Sequence, residues 1–504
     1  MVDRALSAPL AKGGELGRTG DVHALMQCVS RVPMALNRSW IDDRAVRCSG
    51  VRRKRADMED KCKMNASFPE TRSLETGSFE TGKKPPRIPA EVKALLLALQ
   101  LSEADTTQLI ELSDAQWGSL LEFCDIAHLT LSMAQLPSTG FPQWVVERLR
   151  INLADNALRF GRAVATYREA AAALEQAGVE HIVIKGFTQA PDYVADPRLR
   201  RQADLDIFCL PETIGAAQRA LQAIGYKTLG EDVSYAAADH EPSLVRTGNW
   251  KWRGNPFDPE MPLDIELHFC LWNEHVSHIG DPGTKLFWER RTVREIDGFV
   301  FSCLSPADHL AHLTLHIVRN LFLGDWIIHH VRELAVFLHS HANDEIFWQK
   351  WNTTHSASFG SFAAIAFYHA RAWFGCLLHP LAAQEIDRLP ASRRSWLQRF
   401  SGSALEVIFE KNKDSLWLQL GFLSSRREQW RILKRTLIPS RIGSIRSPDV
   451  QVRNKRLVHS AGRPRWQQYA AYLISRSAAH LRAGIATLWR GLCWRFSQPS
   501  ELTN

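Results

Sequence analysis

Asp204 and Asp206 stand one residue apart at the head of the apolar run in "RRQADLDIFCL", residues 200–210. In a strand, alternate side chains share a face, so the two carboxylates would lie within a few ångströms of each other. Such crowding needs a compensating cation. Beyond Asp206 the run reads Ile-Phe-Cys-Leu, apolar on both faces, which is the pattern of an interior strand. The pair is therefore expected at the end of a central strand. A second acidic stretch, "LDIELHF", puts Asp264, Glu266 and His268 on one face and Ile265, Leu267 and Phe269 on the other. Alone, it is equally an amphipathic strand with a wet side. Beside the first strand it supplies a third carboxylate, and the three form an oxygen-rich set suited to Mg²⁺ or Mn²⁺. Such triads hold two ions about 3.5–4 Å apart and clamp the attacking and leaving oxygens of a phosphoryl transfer. The metal charge then offsets the mutual repulsion of the acids.

Upstream, "HIVIKG" is a short buried strand ending in Lys185 and Gly186. A glycine at a strand end lets backbone approach a phosphate closely, and a lysine offers it a compact positive charge. Arg198, Arg200 and Arg201 lie between that strand and Asp204 and are further candidates for phosphate oxygens. A different chemistry is written in "DHLAHLTLHIVRN", where His309, His312 and His316 fall within about 60° on a helix. Three imidazoles on one face suit Zn²⁺ or Fe and would belong to a metallohydrolase. No carboxylate other than Asp308 accompanies them on that helix. A helix histidine is more often a core hydrogen-bonding group than a ligand.

The elements that must position these residues follow from periodicity. Residues 1–90 mix Gly, Ser, Arg and Pro without sustained pattern and are expected to be a disordered extension. Within it, "VRRKR" at 51–55 reads as a solvated charge cluster, and Met58 and Met64 are alternative chain starts. Apolar residues recur at three- and four-residue spacing over 91–177, a helical segment stopped by Gly178. Residues 178–304 hold the strands and one helix, "PETIGAAQRALQAIGY", opened by Pro211 and closed by Gly225. Helical patterning resumes over 305–424. A basic, partly amphipathic tail occupies 425–504.

Composition excludes several classes. At 45% hydrophobic and 23% charged residues the chain is that of a soluble globular protein, and no uninterrupted apolar run reaches the length of a membrane-spanning helix. Nine cysteines without a C-x-x-C pair argue against a disulfide framework or zinc ribbon, and a cytoplasmic location is expected. The net charge of +8 is uneven: residues 425–504 carry sixteen Lys/Arg against three Asp/Glu, leaving the first 424 residues mildly acidic. The basicity thus belongs to the tail, which reads first as a solvated basic face on a helix packed against the domain; peripheral contact with an anionic membrane, at the inner membrane surface, or with nucleic acid is the alternative.

The order of these elements resembles the polymerase-β-like nucleotidyltransferase superfamily. More narrowly, residues 145–340 resemble a bacterial family of uncharacterised nucleotidyltransferases. That family shows a Lys-Gly, a "DP-x-x-R-x-x-x-D-h-D" segment and an acid-apolar-His-aromatic strand. Here these match Lys185-Gly186, Asp196-Pro197 through Asp206, and Glu266 with His268. The wider superfamily usually carries Ser after the strand-ending Gly, where this chain has Phe187 and then Thr188. The resemblance implies an α+β fold, a mixed sheet flanked by helices with a largely helical C-terminal portion. It also implies transfer of a nucleoside monophosphate from an NTP to a hydroxyl acceptor with release of pyrophosphate. Asp204 and Asp206 would bridge two Mg²⁺ (or Mn²⁺) ions, and Glu266 would bind the one that activates the acceptor. Asp264 is the competing third carboxylate, and His268 an accompanying site residue. Lys185, Gly186, Arg200 and Arg201 would hold the nucleotide. An association with polysaccharide production comes with the family by analogy. A catalytically inactive version of the fold, serving as a binding or antitoxin-like module, is the alternative from a different class.

Overall fold

The computed structural model describes residues 88–228, 239–246, 248, 250–437 and 465–497. The disordered extension expected over 1–90 lies outside the described residues but for its last three positions, and so does the basic run at 51–55.

Helices α1 (Ala90–Ala98), α2 (Asp114–Ala127) and α3 (Gln143–Gln176) precede the sheet. A reciprocal cap opens α2: Ser113 Oγ accepts from the Gln116 backbone N–H, while Gln116 Oε1 accepts from that of Ser113. The 34-residue α3 ends before Gly178, whose φ of +67° is the left-handed conformation that glycine adopts without strain.

Seven strands then form one mixed sheet: β1 (Ile182–Val183), β2 (Asp204–Phe208), β3 (Lys227–Thr228), β4 (Leu244–Val245), β5 (Asp264–His268), β6 (Thr292–Ile296) and β7 (Phe299–Cys303). Their spatial order is β3-β4-β5-β2-β1-β7-β6. The fully apolar run after Asp206 thus belongs to a central strand, paired antiparallel with β1 and parallel with β5. One helix, α4 (Ile214–Ala223), lies between β2 and β3. It begins three residues later than the proline signal suggests, because the Thr213 N–H and hydroxyl both bond the Leu210 carbonyl and close a turn first. The β6–β7 hairpin turns at Asp297-Gly298, both with positive φ (+49° and +74°), as a two-residue turn between twisted strands requires.

The two faces of the sheet meet different cores. Leu205, Ile207, Ile265 and Leu267 pack with Phe160, Tyr167 and Leu174 of α3 and Ala217 and Leu221 of α4. The acidic face, which also bears Phe208, turns toward a helical layer. That layer contains α5 (Pro306–Leu323), α6 (Ile328–Ser340), α7 (Glu345–Thr354) and α8 (Ser356–Phe374). Ser305 caps α5, Pro306 takes its first position and Gly324, at φ +73°, ends it. Shorter helices follow to α9 (Arg426–Leu437), and α10 (Arg465–Phe496) docks through Ala483, Thr487, Cys493 and Trp494. None of the described helices is long and apolar enough to cross a membrane. The six cysteines among the described residues are free thiols.

Candidate active site

Strands β2 and β5 run parallel and in register, so Asp204 lies opposite Asp264, Asp206 opposite Glu266 and Phe208 opposite His268. All the acids therefore share one face. Asp206 is the centre of the arrangement. Its Oδ1 accepts from Lys185 Nζ at 2.6 Å and from His268 Nε2 at 2.8 Å. Glu266 Oε2 lies 3.7 Å from His268 Nε2, and its Oε1 accepts from the Ser243 hydroxyl at 3.2 Å. Behind His268, Nδ1 faces Asp239 Oδ2 at 3.9 Å, and Arg319 of α5 donates to that same oxygen at 2.6 Å. A chain of polar contacts thus runs from Arg319 through Asp239, His268 and Asp206 to Lys185.

This chain answers how two neighbouring aspartates coexist. Burial works against Asp206 as an anion, but the Lys185 ammonium and the His268 hydrogen bond hold its carboxyl well below the usual range. The cost appears at Asp204 instead. Burial, then the Asp206 and Glu266 charges, push the Asp204 carboxyl up to about 7. Asp264 is raised as well, by burial and by Glu266. Lys185 stays raised despite its burial because Asp206, Asp239 and Asp204 surround it.

One ligand atom each from Asp206, Glu266 and His268 lie within 4.8 Å of one another, the converging group of metal-ligand type among the described residues. Asp204 stands one step along the same strand face and outside that group. Two carboxylates and an imidazole, with a third carboxylate next to them, suit a divalent cation. The three histidines of α5 do not join it. His309 lies tilted against the Tyr193 ring, with centroids 4.8 Å apart, and His316 shares a 3.1 Å hydrogen bond with His330.

Around the motif positions, residues that no motif names hold the site in place. Gly186 has φ +65°, and a Cβ there would come within 2.2 Å of the Gln202 side chain, whose Nε2 donates to the Asp204 carbonyl at 2.6 Å. Phe187, in place of the usual Ser, packs edge-on against Phe299 and Phe301 and anchors the turn in the core shared with α3 and α4. Arg159 of α3 is fully buried and donates to the carbonyls of Gln202, Asp258 and Met261. It thereby fastens the loops leading into both acidic strands. Asn156, one turn earlier, holds the carbonyls of Arg198 and Arg200. The signal was present as polar residues at 152, 156 and 159, spaced four and three apart on a helix face that should otherwise be apolar. Arg200 itself donates to Glu333 Oε1 at 2.7 Å. Glu333, opposed by burial, is held down to about 2 by Arg200 and His330.

A family model described as an uncharacterised nucleotidyltransferase matches residues 113–375, just over half of the sequence. The chain belongs to that family. The matched span contains α2, α3, the whole sheet and α5 to α8, so the helices before and after the strands are part of the family's unit. No curated protein and no solved structure matches the chain.

Proposed function

We propose that the protein is a metal-dependent nucleotidyltransferase that moves a nucleoside monophosphate from an NTP to a hydroxyl acceptor, with Asp204, Asp206 and Glu266 as its catalytic and metal-holding carboxylates. The in-register pairing of Asp206 with Glu266 beside Lys185 carries this reading. Mg²⁺ or Mn²⁺ held by these three would neutralise triphosphate charge and lower the pKa of the attacking hydroxyl. In the transfer, the acceptor oxygen bonds to the α-phosphorus, the bond to the β-phosphate oxygen breaks, and pyrophosphate leaves with the hydroxyl proton released to water. Lys185 exchanges its carboxylate partner for the incoming triphosphate, a point charge aimed at the leaving group. Gly186 lets the turn approach the phosphates, and His268 holds Asp206 in place through Nε2. Arg200 and Arg201 add positive charge beside Asp204. Residues 178–304 are the catalytic core in this reading, with 91–177 and 305–424 as helical supports.

The tail has its own role. On α10 the exposed Ile474, Leu481, Ile485, Trp489, Leu492 and Phe496 fall within about 80° of arc at 100° per residue, away from the docked face. The helix carries five arginines and no acid. Arg490 is taken by Asp414 on the docked face, whereas Arg482 and Arg495 are exposed on either side of the stripe. An anionic bilayer surface matches this arrangement, the apolar stripe entering the headgroup layer and the two flanking arginines meeting lipid phosphate.

The activity is tested by incubating the protein with each α-labelled NTP, Mg²⁺ or Mn²⁺ and cell extract, beside Asp204→Ala and Asp206→Ala. Label transferred by the wild type and lost in both variants supports the transferase. Equal labelling by all three, or none by the wild type, overturns it.

A further inference from the structure

A cavity of about 260 Å³ opens between the short turn Thr130–Met133, the loop before β2 and helix α6. Its wall includes Arg200, Arg201 and Arg332, and one carboxylate, Glu333. Arg200 and Glu333 neutralise each other, which leaves two guanidinium groups facing one space. Nε and Nη1 of Arg332 are buried without a hydrogen-bond partner, and its guanidinium lies over the Phe374 ring, 5.7 Å from the centroid, with the Cys376 thiol nearby. Arg201 has an orphaned Nε and one long bond, 3.4 Å, to the Asp125 carbonyl; the Asp125 carboxylate is taken by Arg148. His329 Nδ1 and the Tyr193 hydroxyl, both on the same wall, are buried and unpartnered too.

Buried cations and donors without partners are costly, so their concentration around one cavity marks the place of a ligand that satisfies them. Burial, then the neighbouring His330 and His128 rings, with Arg200 and Arg201 beyond, push the His329 imidazole well down, so the cavity adds neutral donors to the Arg332 charge and to that of Arg201, which Asp125 and Asp204 offset in part. A phosphomonoester dianion matches that balance, whereas a single carboxylate would leave one guanidinium unmatched. Two planar forks also suit phosphate oxygens. The cavity is smaller than the roughly 300–1,000 Å³ of sites for drug-sized ligands, which favours a phosphate bearing one small group.

Its place relative to the acids separates it from the nucleotide. Lys185, Asp206, Glu266 and His268 are absent from the wall, and Lys185 contacts Asp206. Asp204 is not on the wall either, but it is the carboxylate nearest to it in the chain: it follows Arg201 by three residues, at most about 11 Å of extended chain, and its charge acts on the Arg201 guanidinium. We propose that the cavity bounded by Arg201, Arg332 and His329 binds the phosphate group of a phosphorylated acceptor and presents that acceptor's hydroxyl to the carboxylate site. The role as acceptor site rests on the transferase reading; the phosphate binding does not.

The test is calorimetric titration of the full chain with inorganic phosphate in the absence of divalent cations, beside titrations with the Mg²⁺ complexes of ATP, GTP, CTP and UTP. The wild type binds phosphate saturably. Arg332→Met weakens that binding at least tenfold, leaves the affinity for the bound NTP within twofold, and keeps or raises the melting temperature because it removes an uncompensated charge. Arg332→Lys, which disturbs the fold least, loses part of the phosphate affinity because an ammonium replaces the fork. Absent phosphate binding by the wild type, or unchanged binding in both variants, overturns the proposal. An equal loss of NTP and phosphate affinity in Arg332→Met also overturns it, assigning the cavity to the triphosphate. Phosphate binding by a wild type that binds none of the four NTPs would sink the transferase reading while leaving the anion site standing.

Discussion

Gly186→Ala addresses the turn that brings backbone to the carboxylates. Two costs are separable. At φ +65° an alanine carries left-handed strain of about 1–2 kcal/mol. Its Cβ would also lie 2.2 Å from Gln202 Nε2, so the amide must leave the Asp204 carbonyl, and an unmade buried bond costs ~1–3 kcal/mol. The sum is about 2–5 kcal/mol. Gly178→Ala is the control, with nearly the same φ of +67° and nothing within 4 Å of the added Cβ, so it should cost only the strain of ~1–2 kcal/mol. Gln202→Ala removes the same hydrogen bond and the obstacle together. In Gly186→Ala/Gln202→Ala the bond is lost once rather than twice, so the pair couples by about 1–3 kcal/mol. Denaturant unfolding of the four variants measures these terms directly. Strictly additive losses, or a Gly186→Ala cost no larger than that of Gly178→Ala, would refute the argument.

Other consequences can be checked independently. Lys185→Met removes the ammonium seated on Asp206, so Mn²⁺ binding to the nucleotide-free protein should tighten at least about tenfold, a ~1.4 kcal/mol effect, while NTP binding weakens; looser Mn²⁺ binding by calorimetry counts against the competition. Burial pushes His309 down to about 3 and His369 to about 4, against 6.5 in an unfolded chain. Because the folded values are depressed, their contribution is complete above pH 6.5 and is lost as the pH falls through the window between 6.5 and those values. Each should remove ~2 kcal/mol between pH 8 and pH 5, so the double variant with His309→Phe and His369→Phe flattens the pH dependence of unfolding by ~4 kcal/mol; an unchanged slope would contradict the neutral buried state. The full chain should sediment with vesicles containing phosphatidylglycerol and not with pure phosphatidylcholine, and Ile485→Glu should reduce the bound fraction several-fold; equal recovery on both vesicles rules the lipid contact out.

The acidic strands were legible because their pattern is local. Period-two alternation and the unbroken apolar run after Asp206 place the carboxylates on one face of a central strand, and β2 and β5 are found paired there. What local pattern does not carry is register and partner. Nothing in "LDIELHF" says whether Asp264 or Glu266 will stand opposite Asp206, because a slip of two residues keeps Ile265 and Leu267 on the same apolar face. The sequence leaves Arg200 a candidate for phosphate or for an ordinary ion pair; its partner, Glu333, lies 133 residues later in the chain. His268 gained its place on Asp206 in the same way. The β6–β7 hairpin is a different kind of miss, since Asp297-Gly298 between alternating residues is a local turn signal that was available in the sequence.

The reach of Arg159 bears on where the smallest working piece of this protein can be cut. Strand content alone points to a fragment beginning near residue 178. Such a piece would retain every carboxylate, yet it would lack the guanidinium that ties the carbonyls of Gln202, Asp258 and Met261 to one another. The two loops would then be free to slide, and with them the alignment of Asp206 on Glu266. Truncation series, chimeras and transplantation of the acidic strands into another scaffold must all carry α3 with them, since the precision of the site is stored in a helix that contributes no acid to it.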